Sequence, residues 1–401
     1  MPDDGAIQPS RNATCLPFEA GGVLHYAGSQ RLWVLNHTLA YIWHALADLH
    51  TLNAVSRDLA DTFGIDAATA NADARNALAY FRKQGLLEGT LPRDTHDPEY
   101  GAYLHATGQT LEQAWQPRHR HRIILTGRSI QCDLGDARQA EDFQRLFGHL
   151  EDTCPPVKAD LSLAVTTAGQ RFNVYFNGRL HQGNVTSNEV MPMLVSAIFM
   201  AAAKSLTDKT VLHAAVLVKN ARAILLPAFS GKGKSTLALL LTAHGWEFFS
   251  DELALIDSHT LQVHPFPFPF TIKTGTFDTL KQCFPHLAES PTYTREDGKQ
   301  VKYFNPDSEK KRGEPAPIEA ILFPGYERHA NGSLTEIDNT SALKSLAETA
   351  FCDRDLSLGD AKTLIRLACN TRTYVEQYNS SEQALEQVNR VFIDAPLAPR
   401  G

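Results

Sequence analysis

The sequence predicts an α/β protein, and three observations carry that reading. From about residue 211 apolar strands alternate with helices; a strand–loop–helix stretch rich in small residues begins at Ala223; and a mainly helical module lies ahead of a polar break near residue 93. At 401 residues the chain has room for two or three domains of roughly 100–200 residues each. Apolar residues at 43% and charged residues at 21% exclude a mostly disordered chain. With 38 basic against 45 acidic residues the net charge is −7, which argues against a nucleic-acid partner while leaving room for a local basic loop. The longest apolar run, Val190 to Ala203, is broken by Pro192 and Ser196 and is too short to span a bilayer, so no membrane role is expected. The opening MPDDGAIQPSRN has acidic residues where a signal peptide needs a basic start. Cysteines 15, 132, 154, 283, 352 and 369 form no CxxC pair, so neither a zinc site nor a disulfide framework is implied, and reduced thiols in the cytoplasm are the expectation.

The first module spans residues 15–92. Val23–Tyr26 and Arg31–Leu35 read as two strands around Gly28-Ser29. Asn36 offers a helix cap ahead of Leu39, Ile42, Trp43 and Leu46; Leu52, Val55, Leu59 and Phe63 mark a second helix ended by Gly64; and a third runs from Ala67 to Gln84 with Gly85 after it. A hairpin with three helices is a winged-helix-like arrangement. Its third helix carries Arg75, Arg82 and Lys83 but no basic stripe, which disfavours DNA. A polar linker follows at 93–117, then a small α+β segment at 118–205. There Arg122–Thr126, Leu161–Val165 and Phe172–Phe176 are strand-like, and Asn177-Gly178 is a hairpin turn. Two weaker signals fall nearby. The histidines in Arg118-His-Arg-His-Arg share a strand face, but a basic lead into a strand explains them better than a metal does; the run His264–Phe270 suits either an aromatic binding surface or an edge segment over the core.

Residues 206–395 form the α/β unit. In Ala223-Ile-Leu-Leu-Pro-Ala-Phe-Ser-Gly-Lys-Gly-Lys-Ser-Thr a buried strand runs into a loop, and Gly233-Lys234-Ser235 opens an apolar helix. Backbone N–H groups of Ser230, Gly231, Lys232, Gly233 and Lys234 can wrap phosphates at the positive end of the helix. Lys234 can reach the β- and γ-phosphates of ATP, Thr236 continues the cradle, and the Ser235 hydroxyl can ligate Mg²⁺. The pattern GxxxxGK[ST] has Ala228 in its first glycine position, which bears on loop geometry because alanine resists positive φ. Fifteen residues further on, Asp251 and Glu252 interrupt an apolar run, and two carboxylates there can divide a metal task and a base task. His213, alone in an apolar run, reads by itself as a structural residue.

Together these stretches resemble the HPr-kinase-related branch of the HPr kinase/phosphorylase superfamily. The likeness covers about residues 120–395 and rests on His213-Ala-Ala-Val, the loop Phe-Ser230-Gly-Lys-Gly-Lys-Ser-Thr, the turn Ser250-Asp251-Glu252, Pro265–Lys273, Gly298-Lys299 and the strand Ile-Leu-Phe-Pro324. It implies a fold related to phosphoenolpyruvate carboxykinase, with Ser235 as metal ligand, Asp251 as the base that activates an acceptor serine, His213 as its partner, and Glu252 near Mg²⁺. The family's arginine–glycine signature after the turn has no clear copy, so phosphorolysis and HPr as substrate are not carried over. Lys273 and Lys299, in matching stretches, and Lys302 are candidates for phosphate or substrate contacts in a basic loop at 294–312. The first module is similar to the PqqD family, on Trp33-Val-Leu-Asn-His-Thr, Ile42-Trp43, and the run from Leu59-Ala-Asp-Thr-Phe to Gly85-Leu-Leu. That similarity implies a leader peptide added as a strand to the hairpin edge and packed on the third helix.

The two resemblances combine in one expectation: an ATP- and Mg²⁺-dependent kinase for a Ser/Thr hydroxyl of a ribosomally made precursor peptide, whose leader is held by residues 20–95. Kinases of this branch occur in lasso-peptide pathways, which is why a peptide hydroxyl is the preferred acceptor. The alternatives are a nucleotide-gated peptide chaperone with a degenerate kinase half, or phosphoryl or nucleotidyl transfer to another substrate. A homo-oligomer is compatible with the family, and no assembly surface is evident in the sequence.

Overall fold

Three side-chain caps frame the helices of the first module. Asn36 accepts from the Leu39 N–H, Thr51 from that of Ala54, and Asp66 from those of Ala68 and Thr69, so each helix starts where a short polar side chain can serve an otherwise unpaired donor. The computed structural model, which describes residues 7–92, 104, 108–152, 158–228, 231–273, 276–306, 313–350 and 355–393, gives α1 as His37–Leu49, α2 as Leu52–Phe63 and α3 as Ala67–Gln84. Gly64 and Gly85 end α2 and α3 in the left-handed conformation that the sequence anticipates. The expected hairpin is β2 (Gly21–Tyr26) and β3 (Leu32–Leu35), and a further strand, β1 (Ala13–Phe18), completes an antiparallel sheet in the order β1-β2-β3. Leu24, Leu35, Ile42, Trp43, Leu46, Leu59, Ala74 and Phe81 fill the core, with the Trp43 and Phe81 rings edge to face at 5.1 Å.

Two helices from far down the chain pack with this module. By packing, residues 7–92 form one unit with 340–348 and 355–369; the remaining described residues form a second. The distant segment is tied in by polar contacts. Buried His25 on β2 bonds through Nε2 to the Leu356 carbonyl at 2.6 Å, Leu356 N–H donates to Ser29, and Thr340 donates to Glu19 at 3.0 Å.

In the second unit a five-stranded sheet has the order β4-β5-β6-β7-β8, formed by His119–Leu125, Arg128–Leu134, Leu161–Ala168, Arg171–Phe176 and Arg179–Val185. The β7–β8 turn places Asn177 and Gly178 at positive φ, as an Asn-Gly hairpin requires. Part of the expected linker belongs to this sheet, because Gly108 and Leu111 donate to backbone carbonyls of Leu180 and Gly178. The helices α4 (Ala137–Phe147) and α5 (Ser187–Ala203) cover it, and the long apolar run is α5, whose Val190, Leu194 and Ile198 are buried. Among the described residues no helix is long and apolar enough to cross a membrane.

The larger sheet has eight strands. Strand β9 (Lys209–Lys219) pairs antiparallel with β10 (Arg222–Pro227) on one side, and on the other with β11 (Glu247–Ser250) and β12 (Leu253–Asp257) in succession. The helix α6 (Lys234–Ala243) lies between β10 and β11 in the chain. Beyond β12 come β13 (Gln262–His264) and β14 (Phe270–Lys273), the short helices α7 (Phe277–Leu280) and α8 (His286–Glu289), then β15 (Tyr293–Thr294) and β16 (Gln300–Phe304). Strands β14, β16 and β15 make a separate small sheet. Strand β17 (Ala316–Tyr326) runs parallel to β10 and to β19 (Arg372–Tyr378), and β18 (Ser333–Glu336) takes the edge. The helices α9 (Asn339–Thr349) and α10 (Leu358–Asn370) are largely those that join the first unit, and α11 (Ser381–Ile393) packs Ala384 and Val388 into the core beneath α6. Three parallel strands, β10, β17 and β19, therefore end on one edge, where α/β sheets present their ligand sites.

Candidate functional site

Strand β10 delivers the glycine loop to that edge. Ala223, Ile224, Leu225 and Leu226 are fully buried, so the strand cannot slide without exposing the core. After it the chain turns through Gly231 and Gly233, with φ of +93° and +92°, conformations that cost an L-residue strain and that glycine adopts freely. Ala228 is not among the positive-φ residues, so the alanine in the first glycine position meets no conformational obstacle. Ser230 lies outside the described residues. Gly233 is the N-cap of α6, so Lys234, Ser235 and Thr236 begin the helix and present its free N–H groups and positive dipole end.

The acidic pair is held against this loop by strand pairing. Strands β11 and β12 both run along β9, Ser250 opposite Val216 and Leu253 opposite His213, and the chain kinks between them at Asp251 and Glu252. The Ser250 hydroxyl accepts from the N–H groups of Glu252 and Leu253, which fixes the kink. It is not a solvated turn: Asp251 is 1% exposed. Ser235 donates to Asp251 Oδ2 at 2.7 Å. The ammonium of Lys234, itself buried, donates to the Asp251 backbone carbonyl and lies 3.7 Å from Oδ1.

The sequence expectation assigned Glu252 to the metal and His213 to Asp251; the contacts pair these residues the other way. Asp251 is the carboxylate at Ser235, whereas His213 meets Glu252, with Nδ1 3.1 Å from its carbonyl and 3.6 Å from Oε2. At the bend between β11 and β12, Asp251 meets Ser235 and Lys234 of the loop and helix start, and Glu252 meets His213 on the neighbouring strand. A carbonyl only accepts, so His213 carries its proton on Nδ1. Burial, followed by the positive charge of Lys234, lowers the His213 pKa, and the ring is neutral at pH 7.

Asp251 fits a cation. Its Oδ1 is buried without a hydrogen-bond partner. Burial pushes its pKa up to about 7; Lys234 opposes that rise and Glu252 adds to it. A desolvated carboxylate short of one partner, bonded to a hydroxyl on a glycine loop, offers the hard oxygen donors that Mg²⁺ takes. Among the described residues no group of three or more His, Cys, Asp or Glu could hold a metal.

Other expected site residues lie apart from this centre. Lys302, on β16, is buried and donates to the carbonyls of Leu287 and Ala288 at 2.8 and 2.9 Å; it caps the turn of α8, and this tie replaces the phosphate contact expected of it. Lys299 is exposed and pairs with Asp297 at 2.9 Å, and Lys273 is exposed at the end of β14. Residues 307–312 of the expected basic loop lie outside the described residues. Phe266, Phe268 and Phe270 of the aromatic–proline run are buried in the core, so that run is packing rather than a binding surface. His121, one of the paired histidines, bonds to Glu151 at 2.9 Å.

Sequence reasoning missed the opposite flank of the loop. The Tyr326 N–H donates to the Lys232 carbonyl at 3.2 Å, and a Cβ on Gly233 would overlap the Tyr378 hydroxyl and stand 3.2 Å from Tyr326 Cβ. Neither tyrosine falls in a local motif, because each ends a strand separated from the loop by about a hundred residues or more.

Residues 21–87, which hold β2, β3 and α1 to α3, match the family described as Coenzyme PQQ synthesis protein D (PqqD), so the chain carries a PqqD-like domain there. No curated protein matches the chain.

Proposed function

We propose that the protein is an ATP-dependent kinase that transfers the γ-phosphoryl group to a Ser/Thr hydroxyl of a ribosomally synthesised precursor peptide, whose leader is held by the PqqD-like domain. The observation that carries the nucleotide half is the contact set Lys234–Asp251–Ser235 at the N-terminus of α6, behind a loop turned by two left-handed glycines. The observation that supports the peptide half is the PqqD match, together with an edge strand, β3, that pairs only with β2 among the described strands. Trp33 on β3 is fixed to α3 by a bond from its Nε1 to Gln84 Oε1 at 3.1 Å, so strand and helix form one rigid border against which a peptide strand can add.

The chain's own groups suit phosphoryl transfer, in which positioning and charge neutralisation do most of the catalysis. The loop N–H groups and Lys234 orient the triphosphate. Ser235 and Asp251 would hold Mg²⁺, which when bound neutralises charge on the β- and γ-phosphates. Glu252, half-buried and beside neutral His213, is the base: its carboxylate takes the proton of the acceptor hydroxyl as that oxygen attacks phosphorus. The bond from phosphorus to the β-phosphate oxygen breaks, and ADP departs.

The nucleotide product tests this. With Mg·ATP and a precursor peptide whose leader it binds, the protein should release ADP in a peptide-dependent manner. Release of AMP would replace phosphoryl by nucleotidyl transfer, and ATP that binds without turnover would favour the chaperone.

A further inference from the structure

We infer that Tyr326, set on Tyr378 at the C-terminal ends of β17 and β19, is the stacking platform for the nucleobase of the bound nucleotide. This rests on the nucleotide reading of the glycine loop and adds to it the place and chemistry of the base.

Strand β10 feeds the loop and has two neighbours. On the β9 side stands the acidic turn, with the Ser235–Asp251 contact and Glu252. The reacting end of the triphosphate must face those carboxylates, so the sugar and base extend the other way, over β17 and β19. Both strands run parallel to β10 and end on the same edge, and Tyr326 and Tyr378 are direct register partners at their last positions.

Tyr326 is 49% exposed, one of few large apolar side chains so exposed among the described residues, while Tyr378 beneath it is 5% exposed. Their rings lie 5.9 Å apart at 60°, an edge-type contact that supports Tyr326 while about half of it remains exposed. The Tyr378 hydroxyl is buried, has no hydrogen-bond partner and abuts Gly233, so the platform touches the loop that would grip the phosphates.

Tyr326 is pinned to the loop through the Lys232 carbonyl, Glu327 N–H donates to the Tyr378 carbonyl at 3.0 Å, and Asn379 Nδ2 donates to the Ala330 carbonyl at 2.7 Å. A platform already ordered loses little entropy when a base stacks on it. Stacking on an aromatic face is tolerant of base identity, so ATP and GTP should bind with similar affinity.

Calorimetric titration of the full chain with Mg·ATP, Mg·GTP and magnesium tripolyphosphate separates the possibilities. Tyr326→Ala should weaken ATP and GTP about tenfold and leave tripolyphosphate unchanged, and Tyr326→Phe should restore both nucleotides. Unchanged ATP affinity in Tyr326→Ala would overturn the platform while leaving the loop as the phosphate site. An equal loss for tripolyphosphate would also overturn it, by reducing Tyr326 to a support of the loop. If wild-type protein bound neither ATP nor tripolyphosphate, the nucleotide reading itself would fall, and the platform with it.

Discussion

Glu376 sits in the middle of β19, wholly buried, and neither of its carboxylate oxygens has a hydrogen-bond partner. Its neighbours two residues away on the same strand face, Tyr374 and Tyr378, are part of the apolar core with Leu237, Leu241 and Val388. Burial pushes its pKa from an ordinary 4.5 up to about 8. Below pH 4.5 the carboxyl is protonated in both folded and unfolded chains and stability is unaffected. Between 4.5 and 8 the unfolded chain releases the proton while the folded chain keeps it, so stability falls as pH rises, by ~1.4 kcal/mol per pH unit. Over an interval of about 3.5 pH units the loss approaches ~5 kcal/mol, and local relaxation or water entry makes that an upper bound. Glu376→Gln keeps the shape of the neutral acid and removes the titration. Urea unfolding should therefore give nearly equal midpoints for the two proteins at pH 5, and a variant more stable by a few kcal/mol at pH 8.5. Parallel curves, with the same difference at both pH values, would mean that Glu376 does not keep its proton in the folded chain over this range. So would a variant less stable than wild type at pH 8.5.

Four further outcomes are expected. Glu252→Gln should cut phosphoryl transfer by roughly 10²–10⁴-fold with ATP affinity unchanged, read by single-turnover kinetics beside a binding titration. Asp251→Asn should instead raise the Mg²⁺ concentration needed for half-maximal transfer, and high Mg²⁺ should rescue part of the loss; a Mg²⁺-independent loss would return the base role to Asp251. In Gly233→Ala the new Cβ meets Tyr378 and Tyr326 at a φ of +92°, so ATP affinity should drop at least about tenfold in a titration while the thermal midpoint falls only modestly. A precursor peptide lacking its leader should bind at least about tenfold more weakly, measured by fluorescence anisotropy, with ATP binding unaltered.

Local patterns carried much of this structure. Asn36, Gly64, Gly85 and Asn177-Gly178 act where they stand, through caps and turns that depend on a few adjacent residues, so their positions were legible from sequence. The glycine loop was legible for the same reason. What sequence could not give was the partner across a sheet. Ser235 finds Asp251, and His213 finds Glu252, because β11 and β12 lie along β9 in one register, which no spacing along the chain encodes. Lys302 was a phosphate candidate because it falls in the basic stretch between the acidic turn and the final strand; strand β16 turns it inward to the α8 carbonyls. The return of residues 340–348 and 355–369 to the first unit rests on contacts such as His25–Leu356, which span more than three hundred residues.

Transfer of phosphate to a peptide held by the same chain is read from the mass of that peptide. Incubated with Mg·ATP and the full-length chain, the precursor peptide should gain one phosphate on a serine or threonine, and Lys234→Ala should abolish the gain. A peptide of unchanged mass after ATP has been consumed, or a gain that persists without Lys234, would contradict it.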